Sequence, residues 1–197
     1  MPKLRSIAAI ILLLAGLSLT ACALFPPAFK GSHLDPPLPA SDFALIDQDG
    51  QPFRLSEEAG EVTLLFFGYT HCPDVCPTTL AVWNQVYQAL GDDAERVRFI
   101  FITVDPERDT PESLKHHVAI FNPNFIGLTG PLDELEAIYQ VYGVYREIDT
   151  ESETAAGYLV SHTGSAYVLD AELQRVLLHR FGMLADDIVS DLRQLLD

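Results

Sequence analysis

Val62-Thr63-Leu64-Leu65-Phe66-Phe67-Gly68-Tyr69-Thr70-His71-Cys72-Pro73-Asp74-Val75-Cys76-Pro77 joins an apolar run to two cysteines four positions apart. Residues 62–67 are nearly continuous apolar strand formers, which predicts a central strand buried on both faces. Beyond the cysteines the period changes. Leu80, Trp83, Val86, Tyr87 and Leu90 recur at helical spacing over residues 76–90, and Gly91 supplies the stop. Cys72 thus follows a strand end and Cys76 enters the first turn of a helix, where unpaired N–H groups and the helix dipole stabilise thiolates.

The flanking sequence continues the alternation. Residues 43–46 and 52–55 read as a small hairpin around Asp47-Gln48-Asp49-Gly50. Residues 97–104 read as a second buried strand, and 111–121 as a helix with Thr110 as N-cap and Pro111 at its first position. A short strand is expected over 125–128 and a helix over 132–142, ended by Gly143. Residues 166–169 and 175–179 read as an antiparallel pair around Asp170-Ala171-Glu172, and 185–196 as a last, amphipathic helix. Strands alternating with helices, then a hairpin and a helix, define an α/β fold with a mixed central sheet flanked by helices. A thioredoxin-like fold fits that order over residues 41–197, with the cysteines at the junction of a central strand and its helix.

Bulk composition bounds the function. The chain has 197 residues, 48% of them hydrophobic, enough for one core plus an appendage. A formal charge of −16, with no basic cluster anywhere, argues against a nucleic-acid partner. The appendage is N-terminal. Lys3 and Arg5 precede an apolar and small-residue run over 7–19, short for a membrane span and suited to a secretory signal. That run ends in Leu19-Thr20-Ala21-Cys22, which resembles the lipobox of bacterial lipoproteins. The resemblance implies a signal peptide over 1–21, cut before a lipidated Cys22. An uncleaved anchor helix continuing through Phe25 is the alternative. Either way the expectation is an exported chain, tethered to a membrane and facing the periplasm or cell exterior. Residues 22–40 hold five of the thirteen prolines and read as a tethering spacer.

Setting Cys22 aside leaves Cys72 and Cys76 in an oxidising compartment. A disulfide between them would close a loop too small to stabilise much, so their role is chemical. Thioredoxin-type enzymes separate their cysteines by two residues; here there are three. In helical geometry that spacing stacks both sulfurs on one face, although it does not forbid a disulfide. Thiolates favour Cu(I), zinc or iron–sulfur clusters. A cluster needs about four cysteines, and structural zinc four ligands. Two thiolates with one imidazole suit Cu(I), adapt to Cu(II), and leave room for a transfer partner. The chain has six histidines. His33 lies in the expected spacer and His179 at a strand end. His116 and His117 lie on a helix and read as surface imidazoles. His71, next to Cys72, is expected to point away from it. His162 lies before the strand at 166–169, in a segment that faces the cysteine helix in a thioredoxin-like fold; spacing leaves it either a ligand or a turn residue.

Phe67-Gly68-Tyr69-Thr70-His71-Cys72-Pro73-Asp74-Val75-Cys76-Pro77 resembles the signature of the SCO/SenC family of copper chaperones. Val104-Asp105-Pro106-Glu107-Arg108-Asp109-Thr110-Pro111-Glu112 is similar to a second family block, and Phe125-Ile126-Gly127-Leu128-Thr129-Gly130 to a third. Ser161-His162-Thr163 sits where the family has an Asp-His-Ser-like segment, and the resemblance runs over about 41–196. It implies one copper ion per chain, Cu(I) or Cu(II), on Cys72, Cys76 and His162. It also implies delivery to the dinuclear copper site of a haem–copper respiratory oxidase. The implied partners are that copper-site subunit, a periplasmic copper donor and, through the lipid anchor, the membrane.

Ser161 and Thr163 depart from the family pattern and touch the tuning of His162. Asp105 and Asp109 read as turn and cap residues, with metal capture or partner docking as the alternative. Such a carrier is not an enzyme. The rival is a thiol–disulfide reductase using Cys72 and Cys76 as a redox pair on the oxidase's cysteines, and a copper or redox sensor is a further alternative. A peroxiredoxin is excluded, because Leu65 and Tyr69 stand where its proline and threonine should precede Cys72.

Overall fold

The computed structural model describes residues 28–154 and 157–197. The expected signal peptide and Cys22 lie outside the described residues. Among these, no helix is long and apolar enough to cross a membrane.

Among the described residues, ten strands and four α-helices alternate. In order they are β1 (Ser32–Pro39), β2 (Ala44–Asp47), β3 (Pro52–Arg54), β4 (Val62–Gly68), α1 (Val75–Leu90), β5 (Val97–Thr103), α2 (Pro111–Phe121) and β6 (Ile126–Thr129). Then follow α3 (Leu132–Tyr142), β7 (Arg146–Thr154), β8 (Gly157–His162), β9 (Ala166–Leu169), β10 (Gln174–His179) and α4 (Ala185–Leu196). Eight strands make one mixed sheet in the order β1-β10-β9-β4-β5-β6-β2-β3. β4, β5 and β6 run parallel, as their helical crossovers require, and the other neighbours are antiparallel. This is the thioredoxin-like arrangement.

The local signals act as expected. All seven residues of β4 are buried, because helices cover both faces of the sheet centre. Leu80, Trp83, Val86 and Leu90 turn the apolar stripe of α1 inward, where Trp83 packs edge-on to Phe66, Phe99 and Phe125. Thr110 caps α2 by accepting from the Ser113 N–H, with Pro111 in the first turn. Gly143 ends α3 in the left-handed conformation (φ 68°) that a side chain disfavours.

Two elements depart from expectation. Residues 32–39, expected in the spacer, form β1 and pair antiparallel with β10. Their prolines hide an edge strand: an edge needs N–H groups on one side only, and the pairing breaks between His33 and Leu38, across Pro36 and Pro37. The backbone N–H groups of Lys30 and Gly31, just before it, donate to Asp191 at 2.7 and 2.8 Å. The folded unit therefore begins before residue 41. The second departure is the β7–β8 hairpin, a separate two-stranded sheet whose one apolar run is the short Tyr158-Leu159-Val160. His162 is its last residue rather than part of a free loop.

Candidate metal centre

Strand β4 ends at Gly68, and the chain turns through Tyr69, Thr70 and His71 to reach Cys72. Asp109, fully buried, fixes that turn. Its carboxylate accepts the Thr70 hydroxyl at 2.6 Å, the Thr103 hydroxyl at 2.7 Å and the Thr70 N–H at 3.1 Å. Burial pushes the Asp109 carboxyl up from its usual value, and these hydrogen bonds oppose the push. Gly68 is needed by its neighbours: a Cβ there would lie 2.8 Å from Cys76 Sγ and 2.7 Å from the Phe101 ring.

Cys72 is half-buried and Cys76 fully buried. The Cys76 N–H points at Cys72 Sγ (3.4 Å), so the free donors of the helix start face this sulfur. Cys72 is lowered from 9.0 to about 4, first by the hydrogen bond from Cys76, against the cost of burial, and further by His162 and the N–H groups of Asp74 and Cys76. Cys76 moves the opposite way, raised first by burial and then by its negative neighbour Cys72. The metal-free pair is therefore one thiolate and one thiol.

His162 completes the cluster from the far side. Its Nε2 lies 3.5 Å from Cys76 Sγ, and its Nδ1 lies 3.1 Å from the Thr163 carbonyl oxygen. A carbonyl only accepts, so Nδ1 is the donor there, and Nε2 is the nitrogen that faces the sulfurs. The edges of Phe66 and Tyr69 hold the ring at 5.9 and 5.8 Å between centroids. One donor atom from each of Cys72, Cys76 and His162 lies within 4.8 Å of the others, the one such group of three or more among the described residues. Two sulfurs and a neutral imidazole fit a soft or borderline ion, and the half-exposed Cys72 side leaves an approach.

The other candidates fall elsewhere. Asp105 is fully buried. It accepts from Arg108 Nε and, at 2.7 Å, from the Tyr158 hydroxyl. Asp105 and Asp109 are both buried, and both brace loops. Ser161 is exposed, opposite Glu147 across the hairpin, on the face of β8 away from His162. His117 is a correction. Its ring packs against Phe101 and Phe121, its Nε2 is buried without a hydrogen bond, and burial lowers its pKa; of the two neighbours, His116 alone is exposed. His179 is buried, 3.1 Å from Asp191. Sequence reasoning missed Tyr158, whose one signal was its place on the same alternating face as His162.

A thioredoxin-like domain with a Cys–Cys–His cluster at the end of its central strand defines the class. The chain belongs to the SCO1/SenC family, whose profile matches residues 32–197. It is 36% identical over 130 residues to the SCO2-like protein of Rickettsia felis, covering 66% of this chain but 63% of that one, under two thirds of its length. Among solved structures it is similar to copper-bound ScoI of Bradyrhizobium japonicum, with a TM-score of 0.74 and 36% identity over 80% of this chain and 99% of that. Apo Sco1 of Thermus thermophilus gives a TM-score of 0.76 and 40% identity over 85% and 97%.

Proposed function

We propose that this chain carries one copper ion as cargo on Cys72, Cys76 and His162 and delivers it to the dinuclear copper site of a haem–copper respiratory oxidase. The observation that carries this reading is the donor cluster itself: two sulfurs and one imidazole within 4.8 Å of one another. Three soft or borderline donors hold Cu(I) well, accept Cu(II), and leave coordination room for a recipient's ligands. The copper-bound relative from Bradyrhizobium japonicum supports the choice of metal. Export on a signal peptide over 1–21, a lipid anchor on Cys22, a short spacer before β1 and a periplasmic copper donor complete the proposal. Loading exchanges the proton on Cys76 for the metal, so binding releases a proton.

A second reading is favoured by one observation. A thiolate at Cys72 beside a protonated, buried Cys76 is the asymmetry a dithiol reductase uses, with the first as attacking and the second as resolving thiol. His162→Ala separates the two. As a carrier, this variant loses Cu(II) binding and fails to restore oxidase assembly in a deletion strain, while its Cys72–Cys76 disulfide still forms and is still reduced. Restored assembly at normal copper, with Cu(II) binding gone, would favour the reductase.

A further inference from the structure

The imidazole stands on a weak element. β7 and β8 are hydrogen-bonded to each other and not to the eight-stranded sheet, and an isolated hairpin is marginal in water. Yet His162 Nε2 must meet two sulfurs fixed by other parts of the chain. Polar straps between described residues tie the hairpin to the body. The Tyr69 hydroxyl accepts from the Val160 N–H at 3.3 Å, Arg146 Nε donates to the Val104 carbonyl at 2.5 Å, and the Tyr158 hydroxyl donates to Asp105 Oδ1 at 2.7 Å.

The last strap has a particular geometry. Tyr158 and His162 are four residues apart on β8 and share a face. The Arg108 guanidinium lies 3.7 Å over the Tyr158 ring and also donates to Asp105. Asp105 stands in the same loop as Asp109, which grips Thr70 two residues before Cys72. Residues 104–110 thus hold the cysteine turn with one carboxylate and the histidine strand with the other.

We propose that Tyr158 is a positioning residue for His162: its hydroxyl, held by buried Asp105, sets where the imidazole stands relative to the two sulfurs. The inference rests on the copper reading of the site. Tyr158→Phe keeps the ring under Arg108 and removes only the strap. In the metal-free full-length variant, the Val160 and His162 amides should exchange at least about tenfold faster, with the Cys72 turn as protected as before. Cu(II) binding should weaken about tenfold, the low end for a residue that orients a ligand, and the thiolate-to-copper absorption should shift. Cu(I), held by both thiolates, and the rate of disulfide reduction should stay within about twofold. In an Asp105→Ala background, Tyr158→Phe should add no further loss, since the acceptor is already gone.

Unchanged Cu(II) affinity and spectrum in the folded variant would overturn the proposal. So would equal loss of Cu(I) and Cu(II), which places the damage at the cysteines. If the wild type binds no copper, the carrier reading fails, and amide exchange alone still decides whether Tyr158 holds the histidine strand.

Discussion

At the scale of single residues, the two thiols differ because one faces the rim and the other the core. Cys72 gathers N–H donors and the hydrogen bond from Cys76, whereas Cys76 is sealed behind Gly68. A Cys72 pKa of about 4, against 9.0 unperturbed, has a definite sign. A depressed acid contributes stability that is fully present above its unfolded value, declines below that value and is gone beneath the folded one. The reduced protein should therefore lose this contribution as the pH is lowered from about 9 to about 4. Alkylation of Cys72 by iodoacetamide, followed by mass spectrometry, should titrate with a midpoint near 4 while Cys76 stays unreactive. A midpoint in the ordinary thiol range would remove the asymmetric pair and with it the reductase reading.

At the scale of elements, attachment of the N-terminal strand depends on one carboxylate. Asp191 on α4 accepts from the Lys30 and Gly31 N–H groups and from His179, and Asp191 and His179 are both buried. Burial opposes its ionisation, yet the hydrogen bonds from His179, Lys30 and Gly31 bring its pKa below 3.8. Its contribution is present above that value and is lost as pH falls through the lower folded one. Asp191→Ala strands three donors and should cost on the order of 3 kcal/mol, measured by urea unfolding. Amides of β1 should then exchange before those of β4; an unchanged exchange order would show that β1 is held by β10 alone. This latch was not legible in the sequence, because its partners lie about 160 residues apart. Strand β1 was hidden for a related reason: Pro36, Pro37 and Pro39 look the same in a spacer and at a sheet edge. The core elements were legible because Val62–Phe67 and the stripe Leu80, Trp83, Val86 carry their burial in their own periodicity. The cysteine pair was legible from spacing. His162 needed the family resemblance, since the hairpin that presents it has one largely polar strand and is placed by tertiary contacts.

At the scale of the molecule, the fold brings three donors from distant parts of the chain to one end of the sheet. β4 and α1 deliver the sulfurs, β8 delivers the imidazole, and the loop between β5 and α2 holds both. The family match and the donor cluster both support the proposed carrier, whose ion would be held by few ligands and so could be passed on. The most direct test is copper X-ray absorption on the reduced, copper-loaded protein, beside His162→Ala. One copper per chain with two sulfur scatterers and one nitrogen is expected, the nitrogen disappearing in the variant while both sulfurs remain. A site with an unchanged nitrogen shell in His162→Ala, or with fewer than two sulfurs in the wild type, would contradict the account.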